Sequence, residues 1–230
     1  MMRAARVSII LAISGLLWVF APGQASAGFC SSTSCSLTLT NSNFIGTGTF
    51  GTVNLSLSSN VVTVDVNLAS AYRIVKTGFP GAVGFADNLG GGLTIGNFKS
   101  GGVPTPLYSG SQSLTPGCTS NDCQWDGFGY ANDAAATSGP QRPFSLEELS
   151  FTVSQGSSIT DVHQLLRQFT SNGQRGAPYF VVDGCVWNPT RRDCNSTGLF
   201  AVTEVPEPAS LVLLASGLLV LGLLRWKRVI

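Results

Sequence analysis

The side chains that could do acid–base or nucleophilic chemistry are few in this 230-residue chain, and His163 is the single histidine. A serine or cysteine nucleophile needs a base and an orienting group within hydrogen-bond reach. The sequence has no Gly-x-Ser-x-Gly motif that would expose such a serine. One imidazole also excludes a zinc site built from two or three histidines of this chain. We therefore interpret His163 as a solvated surface residue.

Acidic residues form two further candidate sites. Glu147 and Glu148 are adjacent, and adjacent residues of a strand point to opposite faces, so they do not face each other across a cleft as glycosidase carboxylates do. The second group supplies oxygen atoms that suit calcium: Asp122, Asp126 and Asp133 with Asn121 and Asn132. Its spacing fits no standard calcium loop. An enzyme with a cryptic acidic site around 122–133 stays the least favoured alternative, and we expect no catalytic residue, metal or cofactor.

All six cysteines lie between the two apolar ends of the chain, and they form three close pairs: Cys30 with Cys35, Cys118 with Cys123, and Cys185 with Cys194. Local pairing is the most economical of the possible connectivities. The sequence therefore predicts three disulfides that staple loops, which requires an oxidising compartment. A metal cluster is disfavoured by the spacing and by the single histidine.

Two tryptophans, Trp125 and Trp187, each lie near a cysteine pair. An exposed indole ring on a β-rich domain can stack on the apolar face of a sugar. Polar residues that could bind sugar hydroxyls surround the second tryptophan: Arg191, Arg192, Asp193 and Asn195. The alternative is that each tryptophan is buried against its disulfide. Both interpretations stay open, and the first defines a candidate carbohydrate-binding module.

Charge is sparse, since 11% of the residues are charged against about 25% in an average soluble domain. Residues 28–204 contain 8 Lys or Arg and 11 Asp or Glu, which gives a net charge of −3. A nucleic-acid-binding protein would show a basic patch or stripe. We therefore expect no nucleic-acid partner, and the length of this segment predicts a single domain.

Alternation of apolar and polar residues predicts that residues 28–204 are mainly β. Val53, Leu55 and Leu57 alternate with polar residues, as do the valines of 62–68 and the apolar residues of 149–153. Shorter strands are indicated by four pairs: Leu37/Leu39, Tyr72/Ile74, Phe180/Val182 and Leu199/Ala201. One apolar face and one polar face are typical of antiparallel sheets. We expect an antiparallel, jelly-roll-like β-sandwich, with a tight hairpin at Ser59-Asn60.

One short amphipathic helix is predicted near the end of this domain. Its apolar residues recur at helical spacing: Val162, Leu165, Leu166 and Phe169. Thr160 or Ser158 is the expected N-cap, and Gly173 fits the C-terminal end. The helix is expected to pack one apolar stripe on the edge of the sandwich.

Residues 1–27 have the pattern of a secretory signal peptide. Arg3 and Arg6 precede the apolar segment 7–20, and Ala25-Ser26-Ala27 is the small-residue pattern that signal peptidase accepts. We expect cleavage after Ala27, so that the exported domain begins at residue 28. An uncleaved anchor is the alternative.

The C-terminal segment 205–230 begins with Pro206-Glu207-Pro208 and continues with the uncharged residues 209–224. Sixteen helical residues reach about 24 Å, which is marginal for a hydrocarbon core of about 30 Å. A basic anchor follows the apolar run: Arg225, Trp226, Lys227 and Arg228. The positive-inside rule places these cations in the cytoplasm and the domain outside. The prolines fix an extended junction, although by themselves they could simply separate a domain from its anchor.

The order Val-Pro-Glu-Pro-Ala-Ser, glycine-interrupted leucine helix and Arg-Trp-Lys-Arg resembles the PEP-CTERM sorting signal. The resemblance implies that an exosortase, a multi-pass membrane enzyme, recognises residues 206–208. It further implies transient anchoring in the inner membrane of a Gram-negative-type bacterium, removal of the helix, and delivery to the cell surface or extracellular matrix. Proteins with this signal are often associated with exopolysaccharide and biofilm. We expect a non-enzymatic surface or matrix protein, with matrix polysaccharide as a further possible partner.

Overall fold

The structure is a computed structural model, and it describes residues 30–75, 77, 81–90, 92–104, 124–126, 128–131, 133–135, 146–170 and 177–204. The predicted signal peptide at 1–27 and the predicted sorting segment at 205–230 lie outside these residues. Within the described ranges, no helix is both long and apolar enough to cross a membrane.

Short strands dominate the described residues, as the alternating pattern predicted. In chain order they are β1 (Ser34–Ser42), β2 (Gly46–Ser58), β3 (Val61–Leu68), β4 (Tyr72–Ile74), β5 (Val83–Phe85), β6 (Thr94–Ser100), β7 (Val103–Pro104), β8 (Gln124–Trp125), β9 (Gly129–Tyr130), β10 (Asp133–Ala135), β11 (Glu148–Ser154), β12 (Phe180–Asn188) and β13 (Asp193–Val202). The long hairpin β12–β13 was predicted only at the end away from its turn, where Phe180 pairs with Val202 and Val182 pairs with Phe200.

Eleven strands belong to one antiparallel sheet in the order β10-β5-β12-β13-β1-β2-β3-β11-β6-β7, with β4 paired to β12. The strands β8 and β9 pair with each other in a separate two-stranded sheet. The mainly β, antiparallel prediction is therefore confirmed.

The large sheet curls on itself, which brings strands far apart in the hydrogen-bonded order face to face. Phe85 of β5 and Phe151 of β11 approach to 6.3 Å between ring centroids, although β12, β13, β1, β2 and β3 lie between their strands in the sheet. The main core fills the inside of this curl. The sequence predicted two sheets in a sandwich, whereas hydrogen bonds connect the facing layers through a continuous path of strands.

Local irregularities let the strands bend without breaking the sheet. The pairing of β1 with β2 shifts register between Leu39 and Asn41, and such bulges increase the twist of a strand. At Gly51 of β2, a Cβ atom would lie 2.2 Å from the backbone oxygen of Asn67. Only glycine therefore allows β2 and β3 to approach so closely at this point.

The predicted hairpin at Ser59-Asn60 is confirmed. It joins β2 to β3, and both residues adopt left-handed φ angles of 49° and 63°. Two positive φ values are the signature of the type I′ turn that suits twisted strands. Asn60 Nδ2 also donates to the Ile159 carbonyl at 2.8 Å, which attaches the turn to the segment that precedes Asp161.

The predicted amphipathic helix is a single 3₁₀ turn over Val162–Leu165, so the expected helix to residue 169 is wrong. Its N-cap is Asp161, which accepts from the His163 N–H, and neither Thr160 nor Ser158 has this role. The helix ends after Leu165 because the following backbone N–H groups donate to carbonyl groups of neighbouring segments. Arg167 N–H binds Ala86 O at 3.0 Å, and Phe169 N–H binds Pro178 O at 2.9 Å. The predicted end, Gly173, lies outside the described residues.

The apolar spacing in this segment nevertheless predicted correctly which side chains are buried. Val162 and Leu165 are inaccessible to solvent, and Phe169 is buried in a second, smaller core on the outer face of the sheet. Tertiary contacts therefore favour a non-helical backbone after Leu165. The apolar side chains that a helix would have buried are buried all the same.

Two buried carboxyl groups lie close together at one end of the sheet. Asp133 of β10 is in register with Phe85 of β5, and Asp87 follows Phe85 by two residues, which places both side chains on one face. Both are almost fully inaccessible to solvent. Burial, together with the neighbouring Asp87 carboxyl, raises the pKa of Asp133 to about 9. Asp133 is therefore protonated at neutral pH.

We predict that Gly51→Ala destabilises the domain by about 1–3 kcal/mol, because the added methyl group meets backbone that cannot rotate away. The matched control is Gly96→Ala in β6, where a Cβ would have no heavy atom within 4 Å. Urea unfolding of the two variants measures the difference. Equal midpoints for both variants would contradict the close approach of β2 and β3.

We predict that the free energy of unfolding falls as the pH rises from about 4 to about 9. An unfolded aspartate titrates near 3.9, so between these values the folded state holds one more proton, and stability is lost with increasing pH. The slope for one proton is about 1.4 kcal/mol per pH unit. Asp133→Asn should flatten this dependence, whereas the exposed control Asp193→Asn should keep it. Parallel pH profiles for the wild type and Asp133→Asn, measured by urea unfolding, would disprove the assignment.

Candidate functional site

The exit of the chain from the folded domain is fixed by contacts of β13. This strand pairs with β12 over its length, and at its end the Tyr179 N–H donates to Val202 O at 2.8 Å. One residue later, Asn41 Nδ2 donates to Thr203 Oγ1 at 2.6 Å. Glu204 is exposed and is the last described residue. The domain therefore holds the chain up to Thr203.

The predicted sorting residues follow at once. Pro206, Glu207 and Pro208 begin two residues after Glu204, and the predicted basic anchor lies at 225–228. All of them lie outside the described residues. The structure fixes the position of Thr203, from which the chain continues to the sorting residues.

Two of the three predicted disulfides are formed in the described residues. Cys30 pairs with Cys35 just before and within β1, and Cys185 pairs with Cys194 across the hairpin β12–β13. The third predicted pair, Cys118 with Cys123, lies outside the described residues. The observed pairs each close a short loop, as expected for loop staples.

Trp187 lies half-buried on β12, beside the Cys185–Cys194 disulfide. The Arg73 guanidinium stands over its ring at 5.3 Å from the centroid. Arg73 is held in place by Glu147 at 2.5 Å and by the Ser70 carbonyl at 2.8 Å. The exposed hairpin tip that contains Arg191 follows directly along the chain. This arrangement combines a partly accessible indole with charged and polar neighbours.

The polar residues predicted to accompany Trp187 are exposed, and several are engaged locally. Arg191, Arg192, Asp193 and Asn195 all belong to the hairpin tip or the start of β13 and are exposed. Asn188 accepts from the Arg191 N–H at 3.1 Å and donates to Asn195 Oδ1 at 3.3 Å. The Arg191 and Arg192 side chains thus extend from an ordered turn.

Trp125 does not offer a ring to a ligand, which corrects the candidate sugar-stacking role at this position. Its side chain is 3% exposed and packs in the smaller core with Phe128 and Phe169. A Cβ at Gly84 would lie 2.4 Å from the indole, so the ring lies directly on the backbone of β5. The indole Nε1 has no hydrogen-bond partner among the described residues.

The remaining candidate residues occupy separate environments. His163 is partly exposed and its Nδ1 lies 2.6 Å from Asp161 Oδ1, which agrees with a surface position. Glu147 binds Arg73, whereas Glu148 begins β11 opposite Asn67.

The acidic candidates between residues 121 and 133 are described only in part. Asp126 is exposed and Asp133 is buried, while Asn121, Asp122 and Asn132 lie outside the described residues. In the part of the chain that the structure describes, no three His, Cys, Asp or Glu side chains cluster as metal ligands.

One surface groove, lined mainly by residues of polar type, was missed by the sequence analysis. It measures about 280 Å³ and is lined by Thr63, Asn97, Phe98, Lys99, Ser150 and Thr152. Asn97 has a left-handed φ of 55° and donates to Thr152 Oγ1 at 3.0 Å. The groove forms where the pairing of β6 with β11 shifts register. No alternation of apolar and polar residues marked β6 as a strand, so the groove had no signal in the sequence.

Comparison with protein families matches residues 204–228 to the PEP-CTERM protein-sorting motif. No curated protein and no solved structure matches the chain. The match begins one residue after Thr203, so it covers the segment that follows the folded domain and includes the predicted sorting residues. The chain is therefore a protein that carries the PEP-CTERM sorting motif at its C-terminal end.

Proposed function

We propose that this chain is a non-enzymatic protein of the cell surface or extracellular matrix, sorted there by an exosortase. The observation that carries the proposal is the sorting-motif match at residues 204–228, directly after the last strand of the domain. The exported cargo is the curled β-domain.

The proposed route has three steps. Signal peptidase removes residues 1–27 during export, and the apolar segment 209–224 then holds the protein transiently in the inner membrane with residues 225–228 in the cytoplasm. An exosortase recognises Pro206-Glu207-Pro208 from outside that membrane and separates the domain from its helix. The processed domain is delivered to the outer surface of a Gram-negative-type bacterium.

The composition of the domain supports an extracytoplasmic location. The disulfides Cys30–Cys35 and Cys185–Cys194 form readily and persist in an oxidising compartment. In support of a non-enzymatic role, the candidate acid–base residues are engaged in two different local pairs. His163 contacts Asp161, and Glu147 is engaged by Arg73. Association with exopolysaccharide or biofilm is proposed from the sorting motif alone.

A carbohydrate-binding role for the domain is the second candidate, and the environment of Trp187 favours it. The indole is partly accessible, Arg73 orients it from one side, and the exposed hairpin tip supplies hydrogen-bonding groups. A matrix polysaccharide would offer apolar ring faces to the indole and hydroxyl groups to its neighbours. The buried Trp125 takes no part in this candidate site.

Replacing Pro206-Glu207-Pro208 by three alanines is expected to abolish surface display, because the enzyme would lose its recognition element. The precursor should then accumulate in the inner membrane. Surface labelling of intact cells, with membrane fractionation, measures both effects. The control is Pro189→Ala in the exposed turn after β12, which should leave display unchanged. Normal display of the triple-alanine variant would contradict sorting through this motif.

Trp187→Ala is expected to weaken binding to a polysaccharide from the cell's own matrix by about 2- to 10-fold, the range expected for loss of one aromatic contact. Ile45→Ala provides a control at another exposed apolar side chain. Co-sedimentation with the purified polysaccharide gives the affinities, and thermal melts verify that both variants fold. Unchanged affinity in a folded Trp187→Ala variant would exclude this site.

A further inference from the structure

The sorting motif begins almost where the fold ends. Thr203 is still hydrogen-bonded to Asn41 at 2.6 Å, and only Glu204 and Val205 separate it from Pro206. Three Cα–Cα steps reach at most about 11 Å. The domain itself, at roughly 175 residues, has an expected radius of gyration of about 16 Å. The tether is therefore shorter than the body that it carries.

A short tether limits how the motif can enter an enzyme's cleft. A processing enzyme must surround an extended peptide on several sides, and here only Glu204 and Val205 separate residue 206 from Thr203, which the domain holds. More chain becomes available only if residues next to the end of β13 detach from the domain. The position of the Asn41–Thr203 hydrogen bond makes it the first contact that would have to open.

The contacts of the residues that precede Thr203 limit how much of the chain can detach from the domain. Val202 is inaccessible to solvent, as are Ala201 and Phe200 before it. The Tyr179 N–H bond to Val202 O closes the hairpin at the same level. Release of Thr203 costs one hydrogen bond at a half-buried side chain, whereas release of Val202 would expose core residues. Opening is therefore confined to Thr203, just after the strand.

We infer that the Asn41–Thr203 hydrogen bond controls the processing of this protein by restricting the exosortase's access to residues 206–208. Asn41 and Thr203 are thus positioning residues of the processing reaction, and they act through the chain that leads to the motif. This inference rests on the proposed function. It adds that the rate of processing depends on a contact inside the folded cargo.

The test is a pulse-chase measurement of precursor conversion in cells that process the full chain. Asn41→Ala removes the donor, and Thr203→Val removes the acceptor with little change in shape. Each should speed conversion about 2- to 10-fold, the factor expected for loss of one ordinary hydrogen bond. A Gly-Ser-Gly-Ser insertion between Glu204 and Val205 should speed it as well. In the lengthened chain, Asn41→Ala should add nothing further.

Asn54→Ala is the matched control, since Asn54 also bonds a neighbouring strand, accepting from Ser36 Oγ at 2.7 Å. It should leave the rate unchanged, and thermal melts establish that the variants fold. The inference is overturned if Thr203→Val and the insertion both convert at the wild-type rate. It is also overturned if Asn54→Ala accelerates conversion equally, because general destabilisation would then explain the effect. Failure of the sorting proposal itself is distinguishable, since the triple-alanine variant at 206–208 would then still be converted.

Discussion

The pairing of β13 between β12 and β1 is the constraint on which the rest of this molecule depends. β13 is a central strand of the curled sheet, its inner residues Phe200 to Val202 are buried, and it carries the chain out of the core directly into the sorting motif. A central strand is hydrogen-bonded to a neighbour on each side. The folded domain therefore holds the chain firmly up to the point where the sorting motif begins. The same hydrogen bonds that complete the fold set the point from which the segment with the sorting motif departs.

The curl of the sheet explains how a domain with little helix encloses a core. Phenylalanines from strands that are remote in the sheet meet inside, as Phe85 does with Phe151. Close approaches at Gly51 and Gly84 make room for neighbouring backbone and for the Trp125 ring. The Asp87–Asp133 pair is accommodated at one end of the interior because burial keeps Asp133 protonated. The outer face carries the smaller core around Phe128 and Phe169, together with polar side chains, the Asn97 groove and the half-buried Trp187.

The sequence predicted the strands in which buried and exposed residues alternate regularly. It did not predict the strands that lack this alternation. In β3 every second residue is buried, and this strand and its hairpin were found. In β5 all three residues are buried, and in β6 a bulge at Asn97 separates Ile95 from Phe98 by three positions, so neither strand showed a period of two. The apolar spacing of 162–169 matched a helix, yet hydrogen bonds from the Arg167 and Phe169 N–H groups to the Ala86 and Pro178 carbonyls selected another backbone. Burial of Trp125 depends on Gly84, which is remote in sequence and carries no local signal. The sorting segment was predictable because it is defined by the composition, order and spacing of residues within one continuous stretch of the chain.

The central claim is that the C-terminal helix serves as a temporary anchor and is removed at the motif. Mass spectrometry of the protein recovered from the surface of cells that display it tests this claim most directly. The account predicts a mature C-terminus at or next to residues 206–208, without residues 209–224. A displayed protein that still contains residues 211–224 would contradict it.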